Sequence, residues 1–109
     1  GGVAQGAGQA LLEDIRYDPS NGQMLTASFM DYGMPRADLF PSLDFERIEI
    51  PCKSNMLGTK GAGEADCVAG APVLINAILN ALKDDGVTDL SMPANPQAVW
   101  RAIQAAKAA

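Results

Sequence analysis

Gly70-Ala71-Pro72-Val73-Leu74-Ile75-Asn76-Ala77-Ile78-Leu79-Asn80-Ala81-Leu82-Lys83-Asp84-Asp85-Gly86 is the stretch on which the fold turns. Its spacing predicts a helix from about Gly70 to Asp85. Pro72 suits a first-turn position and Gly86 a C-terminal cap. Val73, Leu74, Ile75, Ala77, Ile78, Leu79, Ala81 and Leu82 cover almost the whole circumference, interrupted by Asn76, Asn80 and Lys83-Asp84. A helix apolar on nearly every side belongs inside a larger protein, and a chain of 109 residues has little left with which to cover it.

Immediately upstream lies Gly58-Thr59-Lys60-Gly61-Ala62-Gly63-Glu64, with three flexible backbone positions, one cation and one carboxylate ahead of the helix. Free N–H groups in such a loop can cradle a phosphate or a pterin edge. The spacing lacks the four-residue gap and terminal Lys-Ser/Thr of a P-loop and fits no dinucleotide fingerprint. Glu64 has two readings. One is a helix-terminal acid meeting the helix dipole for a few tenths of a kcal/mol, about the lower end of the usual range. The other is a general base in an apolar pocket. Residue type and spacing alone favour the first.

Further out, Val3, Ala7, Ala10 and Leu11 fall at helical spacing, with Gly2 and Gly6 one turn apart. Such a side-chain-free strip reflects fraying, tight packing on a neighbour, or close approach of a ligand. Ile15-Arg16-Tyr17, the turn Asp18-Pro19-Ser20-Asn21-Gly22 and Met24-Leu25 read as a hairpin. Asp31 to Asp38 reads as loop. Leu43-Asp44-Phe45 and Ile48-Glu49-Ile50 alternate out of phase, which a strand bulged near Glu46-Arg47 would repair. Asn95 and Pro96 open a last helix whose apolar face is Val99, Trp100, Ile103 and Ala106. The expected class is α+β. A small mixed sheet, hairpin plus bulged strand, packs with a glycine-rich N-terminal helix, a buried central helix and a C-terminal amphipathic helix.

Composition prunes the functions. The net charge of −5 and the scattered basic residues argue against a nucleic-acid surface or an anionic membrane. No apolar run is long enough to span a bilayer. The sequence contains no His, which removes the usual general base and every Ser-His or Cys-His dyad. Cys52 and Cys67 lack zinc spacing and read as free thiols, so no protein metal ligands are expected. The opening Gly1-Gly2-Val3 has the look of a fragment of a longer chain.

Four segments in order carry a resemblance: Gln5-Gly6-Ala7-Gly8, Asp31-Tyr32-Gly33-Met34-Pro35-Arg36-Ala37-Asp38, Gly58 to Ala65, and Met92-Pro93-Ala94-Asn95-Pro96. Together they resemble the C-terminal end of the molybdopterin-binding large subunit of the xanthine dehydrogenase/aldehyde oxidase family. The match is best to the bacterial aldehyde oxidase and carbon monoxide dehydrogenase-like branch. The resemblance implies that residues 1–109 are the C-terminal portion of a molybdopterin-binding domain, in an oxidoreductase that oxidises a substrate C–H or carbonyl carbon with water-derived oxygen.

It implies roles as well: Glu64 as general base, Gln5, Gly6 and Gly63 at the cofactor, and Lys60 supporting the loop or a cofactor oxygen. It further implies that molybdopterin, in cytosine dinucleotide form, binds only in the full-length enzyme. Iron–sulfur clusters and FAD would sit on partner subunits or domains. Other partners would be the remainder of the large subunit and a small-molecule substrate. The place would be the cytoplasm, or the periplasm if the parent carries a signal. In this light the bare glycine strip is where a planar heterocycle reaches the backbone. Asp66 departs from the small residue often found in the family and is expected to cap the helix. Two other readings stand beside this one: a non-catalytic interaction module that keeps the fold, and a small-anion binder built on the glycine loop.

Overall fold

The computed structural model describes residues 1–108. Three helices organise them: α1 (Gly2–Leu11), α2 (Ala65–Ala81) and α3 (Pro96–Ala108). Single 3₁₀ turns stand at Ala37–Leu39 and Lys83–Asp85.

The expected α+β class with a small mixed sheet is not what forms. Among the described residues there is no β-strand, only an isolated antiparallel bridge between Tyr17 and Met24. The hairpin sequence does close. Leu25 N–H donates to Arg16 O at 2.8 Å, Asp18 N–H to Gln23 O at 2.8 Å, and Gly22 turns the chain at φ +74°. Two short arms without a third strand do not extend a ladder. The expected bulged strand, Leu43 to Ile50, is exposed throughout and carries no regular secondary structure. Alternation supplies a face for a strand but no partner backbone, and among the described residues none pairs with it.

α2 starts earlier than its sequence pattern predicts. Glu64 is its N-cap, with its carbonyl accepting from Cys67 N–H at 3.2 Å and Val68 N–H at 3.4 Å. Pro72 therefore lies inside the helix and not in its first turn. A proline there leaves one carbonyl without its usual donor, a loss the surrounding turns tolerate. Gly86 does end this region, at φ +80° after the 3₁₀ turn. Asn95 caps α3 as its sequence position predicts, its Oδ1 accepting from Ala98 N–H at 2.9 Å. On α3, Val99, Ile103 and Ala106 are half-buried, but Trp100 faces outward.

α1 is the hub of the packing, and small residues make it one. A methyl group added at Gly6 would stand 2.8 Å from both Ala71 N and Gly70 Cα; one added at Gly2 would stand 2.7 Å from Asp66 Cβ. The two helices thus approach almost backbone to backbone. Pro35 occupies the space beside Gly8, and a methyl group added at Gly33 would stand 2.9 Å from the Leu12 carbonyl oxygen. Ala94 N–H donates to Ala10 O at 2.6 Å, tying the approach to α3 onto the end of α1. Three of the four segments that carry the resemblance, Gln5 to Gly8, Asp31 to Asp38 and Met92 to Pro96, therefore meet on one ten-residue helix, and the fourth leads into α2, which packs on it.

The core is thin. Its buried apolar residues are Ala7, Ala10, Ala71, Val87, Leu90 and Ala94. The radius of gyration is 18.1 Å, against about 13 Å for a compact domain of this size. α2 is buried only at Gly70 and Ala71, so the expected buried central helix is half-wrapped in this chain.

Candidate functional site

The loop before α2 is anchored at its start and free towards its end. Cys52 N–H donates to Gly58 O at 2.9 Å, closing a short loop, and Gly58 bends back at φ +65°. Asn55 then grips Thr59 twice, accepting from its N–H at 3.1 Å and donating to its carbonyl at 3.0 Å. Gly58 is therefore a fixed corner and not a flexible point. Sequence reasoning misses Asn55; the one signal is its residue type, since Asn side chains readily hydrogen-bond nearby backbone in turns.

Beyond the corner the picture changes. A methyl group at Gly61 or Gly63 would meet nothing within 4 Å, and neither residue has a positive φ. Nothing among the described residues requires glycine at these positions. Glu64 follows, exposed, with no side-chain bond to the helix terminus it caps. The apolar pocket expected around it is not formed by these residues. Its carboxylate is held in place only through its backbone and is available to an external partner. Lys60 is likewise exposed.

α1 presents its polar edge nearby. Gln5 is exposed, one residue before Gly6, which is buried against Gly70 and Ala71. Gly2 meets Asp66 and Cys67, so the first turns of α1 and α2 lie side by side. This brings Gln5 and Glu64 to the same end of the helix pair. The bare strip of Gly2 and Gly6 has packing as its reason, and the expected approach of a flat ligand to that strip is corrected: α2 fills it. Asp66, expected to cap α2, is instead a first-turn residue lying against Gly2.

Two features have no counterpart in the sequence pattern. Phe29, Tyr32, Met34, Pro35 and Arg36 line a cavity of about 280 Å³ beside the end of α1. Tyr32 also donates its hydroxyl to Glu13 Oε2 at 2.6 Å, locking the loop to the helix. That bond, with some burial and the Glu13 charge, raises the Tyr32 phenol above its ordinary value. Cys52, half-buried, has its thiol lowered by the Ser54 hydroxyl at 3.0 Å and by neighbouring backbone N–H groups. Both cysteines are free.

Among the described residues no three of Cys, Asp and Glu gather as a metal site, and no helix is long and apolar enough to cross a membrane. A polar amide, an unengaged carboxylate and two unobstructed glycines stand at one end of the helix pair, groups that can hydrogen-bond a ligand.

Residues 1–41 match the family described as molybdopterin cofactor-binding domain. The chain is 37% identical over 104 residues to the nicotine 6-hydroxylase large subunit of Paenarthrobacter nicotinovorans, covering 95% of this chain and 13% of that protein. It is 32% identical over 101 residues to the carbon monoxide dehydrogenase large chain of Afipia carboxidovorans, covering 93% of this chain and 12% of that one. Among solved structures, quinoline 2-oxidoreductase from Pseudomonas putida 86 superposes with a TM-score of 0.87 at 33% identity, over 94% of this chain and 13% of that chain. The chain thus spans about an eighth of the length of these relatives.

Proposed function

This chain belongs to the molybdopterin-binding large subunits of the xanthine dehydrogenase, aldehyde oxidase and carbon monoxide dehydrogenase family, and on that premise we propose that it carries the general base of a molybdenum hydroxylase. The observation that bears most weight is Glu64 itself: a carboxylate fixed by its backbone at a helix start, unengaged among the described residues, behind two glycines that none of those residues requires.

Gln5 and Gly63 would hold the molybdopterin, Gln5 through its exposed amide and Gly63 by leaving its backbone unobstructed. Gly6 serves that contact by seating α1 on α2, which fixes where Gln5 points. Lys60 lies on the same loop and supplies positive charge near an anionic edge. The bound cofactor supplies the redox centre that accepts two electrons from the substrate.

Glu64 takes up the proton released as water-derived oxygen is transferred to the substrate carbon. No His is present in these residues to compete for that proton.

The activity belongs to the longer enzyme, since these residues supply one side of such a site. The reading extends to a cytosine dinucleotide form of the cofactor, to iron–sulfur clusters and FAD on partner subunits or domains, to a small-molecule substrate and to a cytoplasmic setting. Paired variants of the full-length enzyme test the residue assignments. Gln5→Ala should lower cofactor content, and Glu64→Gln should lower turnover with cofactor content unchanged. A Glu64→Gln enzyme that turns over at the normal rate overturns the base assignment.

A further inference from the structure

The outward face of α2 presents an unusual surface. Val68, Pro72, Val73, Asn76, Ala77 and Asn80 are all exposed and, at 100° per residue, lie on one side of the helix. Val68 is 77% and Val73 59% accessible. From Cys67 to Leu82 the sequence has no charged residue. A solvent-facing helix surface normally carries charge along its outer stripe. Here four turns have none, and the only polar side chains are two amides one turn apart. Pro72 adds a third polar feature on this side, because it leaves the Val68 carbonyl without its usual helical donor.

We propose that this face is an interface for the remainder of the same large subunit, with Asn76 and Asn80 as hydrogen-bonding pins that set the register of the segment lying on it. This rests on the reading that the chain is one portion of a longer subunit. Three observations select that occupant. These residues superpose with a TM-score of 0.87 on a solved chain of which they cover 13%, so this open arrangement recurs where most of the protein lies outside it.

Next, an interface between separately folded subunits loses charge only at its fully buried centre and keeps a polar rim, whereas a helix face free of charge over four turns resembles the inside of a domain. Lastly, the opposite face of α2 is already committed to α1 at Gly70 and Ala71, leaving this side for a further neighbour. The covering segment is apolar and offers polar groups opposite Asn76 and Asn80, because a buried carboxamide left without partners is costly. A buried polar residue of this kind fixes alignment at some cost in stability. Since Glu64 caps α2, a segment seated on this face also fixes where the carboxylate stands.

The experiment is hydroxyl-radical footprinting of the full-length large subunit, alone at two concentrations and then with its partner subunits. Val68 and Val73 in the urea-unfolded subunit serve as the exposed reference. The proposal expects modification of both at least tenfold below the reference in the large subunit alone, unchanged by dilution. Labelling at the reference rate would overturn it. So would protection that appears only with partner subunits, or only at the higher concentration, since either places a different occupant on the face. A second arm uses Asn76→Asp with Asn80→Asp. Loss of folded full-length subunit is expected, with Asn76→Ser partly restoring it; normal yield and an unchanged melting temperature would contradict the proposal. Neither arm reads turnover, so failure here is distinct from failure of the Glu64 assignment.

Discussion

At the residue scale, glycines with the same composition signal have opposite meanings. Gly6 is bare because Gly70 and Ala71 stand where its side chain would go, while Gly63 faces open space. Gly6→Ala should therefore destabilise the full-length enzyme by about 1–3 kcal/mol through overpacking against backbone. Gly63→Ala should leave urea stability within about 0.5 kcal/mol, yet lower cofactor content. A urea midpoint and a cofactor assay on each variant separate the two.

Tyr32 gives a pH-dependent counterpart. Its folded phenol is raised by the bond to Glu13, so the bond's contribution is fully present below the ordinary tyrosine value and is lost as pH rises through the folded one. Tyr32→Phe should cost stability at neutral pH, and the gap from wild type should close at strongly alkaline pH. A gap that stays constant across the titration would remove the bond as its cause.

At the element scale, the local signals are the readable ones. Asn95-Pro96 announces a helix start from two adjacent residues, and Asn95 Oδ1 accepts from Ala98 N–H as that signal requires. Asn95→Ala should cost about 0.5–2 kcal/mol, seen as a lower thermal midpoint by circular dichroism. Gly86 and the turn at Asp18–Gly22 are legible for the same reason. The start of α2 is not, because a proline permits a first turn without demanding one, and here the helix begins well ahead of Pro72, at Ala65. The sheet fails for a different reason. Leu43 to Ile50 has the alternation of a strand, but pairing is a relation to another backbone, which no pattern within one segment can supply. The grip of Asn55 on Thr59 and the cavity beside Tyr32 are also relations, formed only once the loop has folded.

At the scale of the whole molecule, three separated motifs meet on α1 and the fourth leads into the helix packed on it, which places Gln5 and Glu64 at one end of a helix pair. The motifs can be quoted from the sequence, but their common seat cannot. The bare strip on α1 is legible as a question with three answers, and close packing is the one the structure gives. The open shape, with Met30, Ile48 and Met56 almost wholly exposed, belongs to a chain that spans about an eighth of its relatives' length.

The role proposed for the loop before α2 turns on Glu64 as the group that takes up the proton. The most direct measurement is the rate at which substrate reduces the cofactor in a single turnover of full-length Glu64→Gln, with cofactor content measured on the same sample. The expected result is a fall of about 10²–10⁴-fold, the usual worth of a general base, at unchanged cofactor content. A rate within a few-fold of wild type, in a variant still fully loaded, would contradict it.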